Sequence, residues 1–180
     1  MTAAEKIPVI IGVGEINDRP GADDPGLDSV ALMVAAARRA EADAGGRWLA
    51  RCDWLAITPQ ISFRDLDPPK LLPEALGIAP ATVFQAPTAD GDSPVRHLND
   101  AANAIASGTG TVCLLVGGEA LRTSARRAAA TGTSHNLFTG SLASAPALRR
   151  RYGLITPSEI YPFYENASRA AWGQTLAEGQ

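Results

Sequence analysis

Ala81-Thr82-Val83-Phe84-Gln85-Ala86, the sharp loop Pro87 to Pro94, an Ala-rich stretch from Pro94 to about Ser107, and then Val112-Cys113-Leu114-Leu115-Val116 follow one another in the middle of the chain. Their order decides the fold. A short β-branched run, a turn, a helical pattern and a second apolar run make a strand–helix–strand unit. Within Asp90-Gly91-Asp92-Ser93-Pro94, Ser93 reads as the N-cap. Pro94 suits the first helical position, where an N–H would be unsatisfied anyway. Val95, Leu98, Ala101, Ala102 and Ile105 mark the expected apolar face of the helix, and Gly108 ends it. Val112 to Val116 is uninterrupted apolar sequence, as in strands buried on both faces.

The flanks repeat the alternation. Ile7-Pro8-Val9-Ile10-Ile11-Gly12-Val13 reads as a first buried strand, and Gly14 to Gly26 as loop. Asp28 or Ser29 caps a helix to about Ala44, with Val30, Met33, Val34 and Ala37 on one face and Gly45-Gly46 as its stop. Asp53 to Thr58 is a further strand, closed by Pro59. A Pro-rich connection, Phe63 to Pro73, leads into a short helix over Leu71 to Leu76. The expectation is an α/β fold with a mostly parallel sheet, helices on both faces and right-handed crossovers. After Arg122 the pattern changes. Residues 1–180 read as one domain: a core over about 1–120, a loop excursion over about 121–156 and a terminal helix over about 158–172.

Composition sets the bounds on function. The chain has 180 residues, 46% of them apolar and 19% charged, which marks a globular protein able to bury a core. Net charge is −3 and the isoelectric point is near 5.4. This argues against a chain built for bulk contact with nucleic acid or an anionic membrane. Cys52 and Cys113 are too few for a disulfide scaffold, and no paired Cys/His spacing suggests structural zinc. No signal peptide or membrane-length apolar run is visible, so the expected location is cytoplasmic.

Several residues invite a chemical reading. Gly12-Val13-Gly14 follows an apolar run, but Asn17 stands where a dinucleotide fingerprint needs its third glycine, so the pair reads as a turn. Gly91-Asp92-Ser93 sits between strand and helix, where helix N-terminal amides can face a substrate. Ser93 itself reads as a cap, and the G-x-S-x-G elbow is absent. His97 reads as a polar-face histidine, His135 lies in a polar loop, and Cys113 reads as a core thiol. Arg51 stands beside Cys52 and could lower its pKa. Arg126-Arg127 and Arg149-Arg150-Arg151 flank an uncharged Gly/Ser/Thr segment; guanidiniums suit phosphates, coenzyme A included, or a solvated loop edge.

One long pattern is more specific than any of these. It joins Asp90-Gly91-Asp92-Ser93-Pro94, then Leu98 to Gly108, then Val112 to Val116 with Gly117-Gly118-Glu119-Ala120. It resembles the core of the thiolase superfamily: a nucleophile loop, an Ala-rich helix, and a strand ending in Gly-Gly and Glu. Ile7 to Gly14 and the stretches Arg150 to Gly153 and Tyr161 to Ala167 look thiolase-like as well. The nearest likeness is to bacterial acetyl-CoA acetyltransferase-like and sterol-carrier-type thiolases.

The resemblance implies a thiolase-like acyltransferase that makes or breaks carbon–carbon bonds on CoA thioesters in lipid metabolism. Coenzyme A thioesters would be substrate, with no tightly bound cofactor or metal. Gly91, Asp92 and Ser93 would line the thioester site, and Arg149, Arg150, Arg151 and Tyr164 would contact CoA. Two departures stand against full activity. The acyl-accepting cysteine of the family lies seventeen residues before the glycine matching Gly108, and that residue here is Gly91. The motifs of the family's second half are also missing, so the chain reads as an N-terminal half. Such a half is expected to need a second copy or a complementary half. The alternatives are a non-catalytic acyl-CoA-binding or assembly subunit, and a component of a CoA-ester aldolase.

Overall fold

The computed structural model describes residues 6–179, apart from 22, 88–89, 134–146 and 155. The chain divides into two compact units, residues 1–135 and 136–180.

In the first unit, α1 spans Ser29–Ala44. The Asp28 side chain accepts the Ala31 amide at 2.8 Å, and Gly45 closes the helix at φ 68°. A single 3-10 turn, Leu49–Arg51, leads into β1, Trp54–Ile57. Next come α2, Pro68–Leu76, and β2, Thr82–Gln85, then α3, Ser93–Ser107, and β3, Cys113–Val116. The α4 helix, Leu121–Ala130, opens the stretch expected to be a loop excursion. In the second unit, α5 spans Ala147–Arg151 and α6 spans Pro157–Trp172.

The sheet is parallel and ordered β2-β1-β3, with Leu55 opposite Val83 on one side and Leu114 on the other. Side chains alternate between its faces. Leu55, Ile57 and Val116 point to one face, where Val30, Met33 and Ala37 of α1 and Leu72 of α2 close the core. Ala56 and Cys113 belong to the opposite face, which α3 covers; Cys113 Sγ lies 3.9 Å from the Ala101 carbonyl. The expected parallel α/β layout with helices on both faces is therefore present.

Two local expectations fail for physical reasons. Ile7 to Val13 forms no strand, because no sheet neighbour lies alongside it among the described residues. Instead it rests on α1. A Cβ at Gly12 would stand 2.3 Å from the Ala40 carbonyl oxygen, and one at Gly14 would stand 2.1 Å from that of Ala36. The Gly-x-Gly pair is thus a close-approach device, not a turn, and the Val13 amide donates to Asp43 at 2.8 Å. The second failure concerns α3. Its buried face is Ser93, His97, Ala101 and Ala104, while Val95 and Leu98 are exposed. The helix turns its small residues to the sheet, where backbones must approach closely, and leaves the bulkier apolar stripe outward.

Candidate functional site

In open α/β sheets, ligands gather beyond the carboxyl ends of the strands. Three loops leave those ends here. After β1, Gln60, Ile61 and Ser62 turn back; after β2, Asp90-Gly91-Asp92 leads into α3; after β3, Gly117-Gly118-Glu119 leads to α4. Two of the loops are tied together. A Glu119 carboxylate oxygen accepts the Ile61 amide at 2.5 Å. The Ser62 hydroxyl accepts the Ala120 amide at 3.1 Å, and the Ser124 hydroxyl donates to the Ser62 carbonyl at 2.7 Å. The sequence reading did not single out Gln60 or Ser62. Their signal, a polar turn after a buried strand, is shared by many loops.

At the start of α3 the N-cap is Asp92, not Ser93. Asp92 makes no side-chain bond to the helix amides; its carboxylate pairs instead with Arg96, one turn on. That guanidinium holds the Asp92 carboxyl below its ordinary value. Ser93 is the first helical residue and is buried, its amide donating to the Asp90 carbonyl at 3.2 Å. Gly91 is exposed, and a Cβ there would meet nothing within 4 Å. The structure therefore brings Gly91, Asp92 and Ser93 together at a helix start whose first-turn amides carry no side-chain cap.

His97 is the residue the sequence reading misplaced. It is 1% exposed and stands edge-on to Phe84 with ring centroids 5.5 Å apart; neither ring nitrogen has a partner among the described residues. Its spacing, four residues from both Ser93 and Ala101, is the signal that puts it on the inner face.

Neither thiol is poised as a nucleophile. Burial pushes the Cys52 thiol up, against the expectation that Arg51 would lower it; the Arg51 guanidinium lies over the Trp48 ring at 4.7 Å. Burial, helped by the Asp53 and Cys52 charges, pushes Cys113 up to about 11. Thiolates attack and thiols do not, so both are quiet at neutral pH.

Arg126 and Arg127 hold the loop before α1: Arg126 donates to the Gly21 carbonyl at 2.8 Å and Arg127 to that of Gly26 at 2.9 Å. Arg149, Arg150, Arg151 and Tyr164 all belong to the second unit. There Arg149 donates to the Leu154 carbonyl at 3.1 Å, Arg151 lies 5.9 Å from the Tyr152 ring, and Tyr164 is exposed beside Tyr161. His135 lies outside the described residues. Among the described residues no cluster of His, Cys, Asp and Glu forms a metal site, and no helix is long and apolar enough to cross a membrane.

A concavity of about 470 Å³ lies between residues 8–14 and β3. Leu98, Ala102 and Ile105 of α3 and Ala36 and Ala40 of α1 complete its lining.

No protein-family model and no curated protein sequence matches the chain. Among solved structures it is similar to a monomeric SCP2-thiolase like protein type 1 from Mycobacterium smegmatis. The two are 24% identical, with a TM-score of 0.67 over 98% of this chain and 32% of that one. This chain thus spans about a third of the length of that structure. The chain has a thiolase-like fold, of which it makes up part.

Proposed function

We propose that the chain is the acyl-CoA-recognising part of a thiolase-like protein, binding a CoA thioester at the start of α3. The observation that carries the reading is the open position at Gly91. It stands at an uncapped helix start, beyond the carboxyl end of β2, with room for a ligand or a side chain. Helix-start amides favour an oxygen with partial negative charge, as a thioester carbonyl has. The arginines Arg149, Arg150 and Arg151 of the second unit are separate candidates for the CoA phosphates.

The non-catalytic form of this reading is favoured over an acyltransferase complete in itself. Covalent acyl transfer needs a thiolate near the carbonyl. Gly91 offers none, and Cys52 and Cys113 are held protonated by burial. An acyltransferase or CoA-ester aldolase would need further groups from a second copy or a complementary half.

Calorimetric titration of the full chain with acetyl-CoA and with CoA tests the reading, with a sizing column alongside. Saturable binding is the expected result. A folded, monodisperse sample that takes up no heat sinks the proposal. A second probe is Gly91→Cys, which the open site tolerates sterically. On incubation with acetyl-CoA the new thiolate should attack the thioester carbon and CoA thiol should leave. Mass spectrometry should then find one acetyl group on Cys at that position and none on the wild-type chain.

A further inference from the structure

The start of α3 offers fewer backbone donors than the four of an ordinary helix start. Ser93 donates its amide to the Asp90 carbonyl at 3.2 Å, and Arg96 donates to the Asp92 carbonyl at 2.9 Å. Pro94 has no N–H. That leaves the Val95 amide, which has no backbone acceptor among the described residues. A carbonyl oxygen that gathers charge is held best by more than one donor, so a second has to come from a side chain.

Ser93 and His97 stand one turn apart on the inner face of the helix. Ser93 is 3% exposed and His97 is 1% exposed. His97 is edge-on to Phe84, whose row of the sheet continues through Ala56 to Leu115. A helix that joins parallel strands runs against them, so Ser93 lies one turn nearer their carboxyl ends. Helical side chains lean toward the N-terminus of their own helix, which directs the imidazole along the inner face toward Ser93 and the helix start. Neither ring nitrogen has a partner among the described residues. An uncharged imidazole carries one N–H and one bare nitrogen, and burying both unmet costs free energy that an apolar ring would not. A polar group kept in the interior at such a cost calls for an explanation in use.

We propose that His97 is a positioning residue for a carbonyl-binding serine. With a thioester at the start of α3, the His97 N–H donates to the Ser93 oxygen. The Ser93 hydroxyl is thereby turned to donate, beside the Val95 amide, to the thioester carbonyl oxygen. A hydroxyl accepts and donates at once, so the chain of two bonds forms without any proton changing hands. This relay presupposes the CoA-thioester reading above, and it adds the means by which the site tells a thioester from free CoA.

Parallel titrations of the full chain with acetyl-CoA and with CoA test the relay. The wild-type chain should bind acetyl-CoA about fivefold tighter than CoA, the worth of one buried hydrogen bond. His97→Phe and Ser93→Ala should each abolish that preference and leave CoA affinity alone. The double substitution should do no more than either single one. His97→Gln, which keeps an N–H, should restore part of the preference. Thermal unfolding separates positioning from packing: His97→Phe removes two orphaned polar atoms and should hold or raise Tm. The chain has two histidines, so in 15N-labelled His135→Gln the imidazole signals belong to His97; acetyl-CoA should shift them and CoA should not.

Equal affinity of the wild-type chain for acetyl-CoA and CoA overturns the relay and leaves the CoA reading standing. Binding of neither overturns both. An undiminished preference in His97→Phe, effects of the two substitutions that add, or His97 signals unmoved by acetyl-CoA each overturn the relay alone. So does a fall in Tm of more than about 5 °C in His97→Phe, which makes the ring a packing element.

Discussion

On the flank of the sheet that carries α1 and α2, Met33, Leu55, Ile57 and Leu72 are wholly enclosed. Beyond the free edge of β3, Val9 is 69% exposed and Ile10 is 71% exposed, and Leu98 of α3 looks into open space. Both regions are equally apolar in sequence. The difference is one of partners: the first region finds its complement within about 90 residues of chain, whereas the second has none among the described residues of the first unit. Apolar pattern thus specifies what a surface wants to meet, and topology decides whether the chain itself provides it.

Mutations on the two sides should separate them. Leu72→Ala in the closed core should cost about 3 kcal/mol, read from urea unfolding, because it removes a wholly buried side chain and leaves a cavity. A cost under about 1 kcal/mol would mean the closed flank is as loose as the open one. Gly14→Ala should cost about 2 kcal/mol, since the new methyl would meet the Ala36 carbonyl and the Ala40 backbone. Gly91→Ala, with nothing near its Cβ, should stay within about 0.5 kcal/mol and serves as the control.

Asp53 ties the closed flank to the strand that borders the gap. Its carboxylate accepts the Thr111 amide at 2.9 and 3.0 Å and the Val112 amide at 3.1 Å, just ahead of β3. Desolvation pulls its pKa upward, but these hydrogen bonds outweigh it and the net direction is down. A lowered folded pKa gives stability that is complete above the unfolded value near 3.9 and drains away as pH falls through the folded value. Asp53→Asn should therefore cost about 1.5 kcal/mol at pH 7, and the gap between wild type and variant should narrow below about pH 4. A constant difference from pH 7 to pH 3 would show that the charge contributes nothing. On the open side, Leu98→Ala should change stability by less than about 1 kcal/mol, because the side chain is half exposed and little packing is lost there.

Much of the fold is legible in the sequence because the closed flank obeys local rules. Val30, Met33 and Ala37 at helical spacing, Asp28 as a cap, and the glycines after α1 and α3 place those two helices to within a residue, while α2 ends as expected at Leu76 but starts at Pro68, three residues before the expected Leu71. The apolar runs before Pro59 and Gly117 give β1 and β3. The misreadings cluster at the open side. Ile7 to Val13 has strand composition, but a strand is a relation between neighbours, and the neighbour is missing from the sheet. Of the expected apolar face of α3, Ala101 is buried, while Leu98 and Ile105 line the gap; the rest of the buried face is Ser93, His97 and Ala104, which a hydropathy pattern does not select. At the candidate site, Gly91 and Asp92 were readable from the turn. The tie between Glu119 and Ile61 was not, since it joins residues 58 apart in sequence.

The Gly12–Gly14 contact with α1 has one more consequence. Because backbone meets backbone there, the position of residues 8–14 is set by steric fit and not by pairing with any strand. Residues 8–14 are seated by that contact and by the Val13 amide bond to Asp43. A single methyl at Gly14 would push residues 8–14 away from α1 without breaking any hydrogen bond of the sheet, so its cost is one of displaced backbone and not of lost pairing.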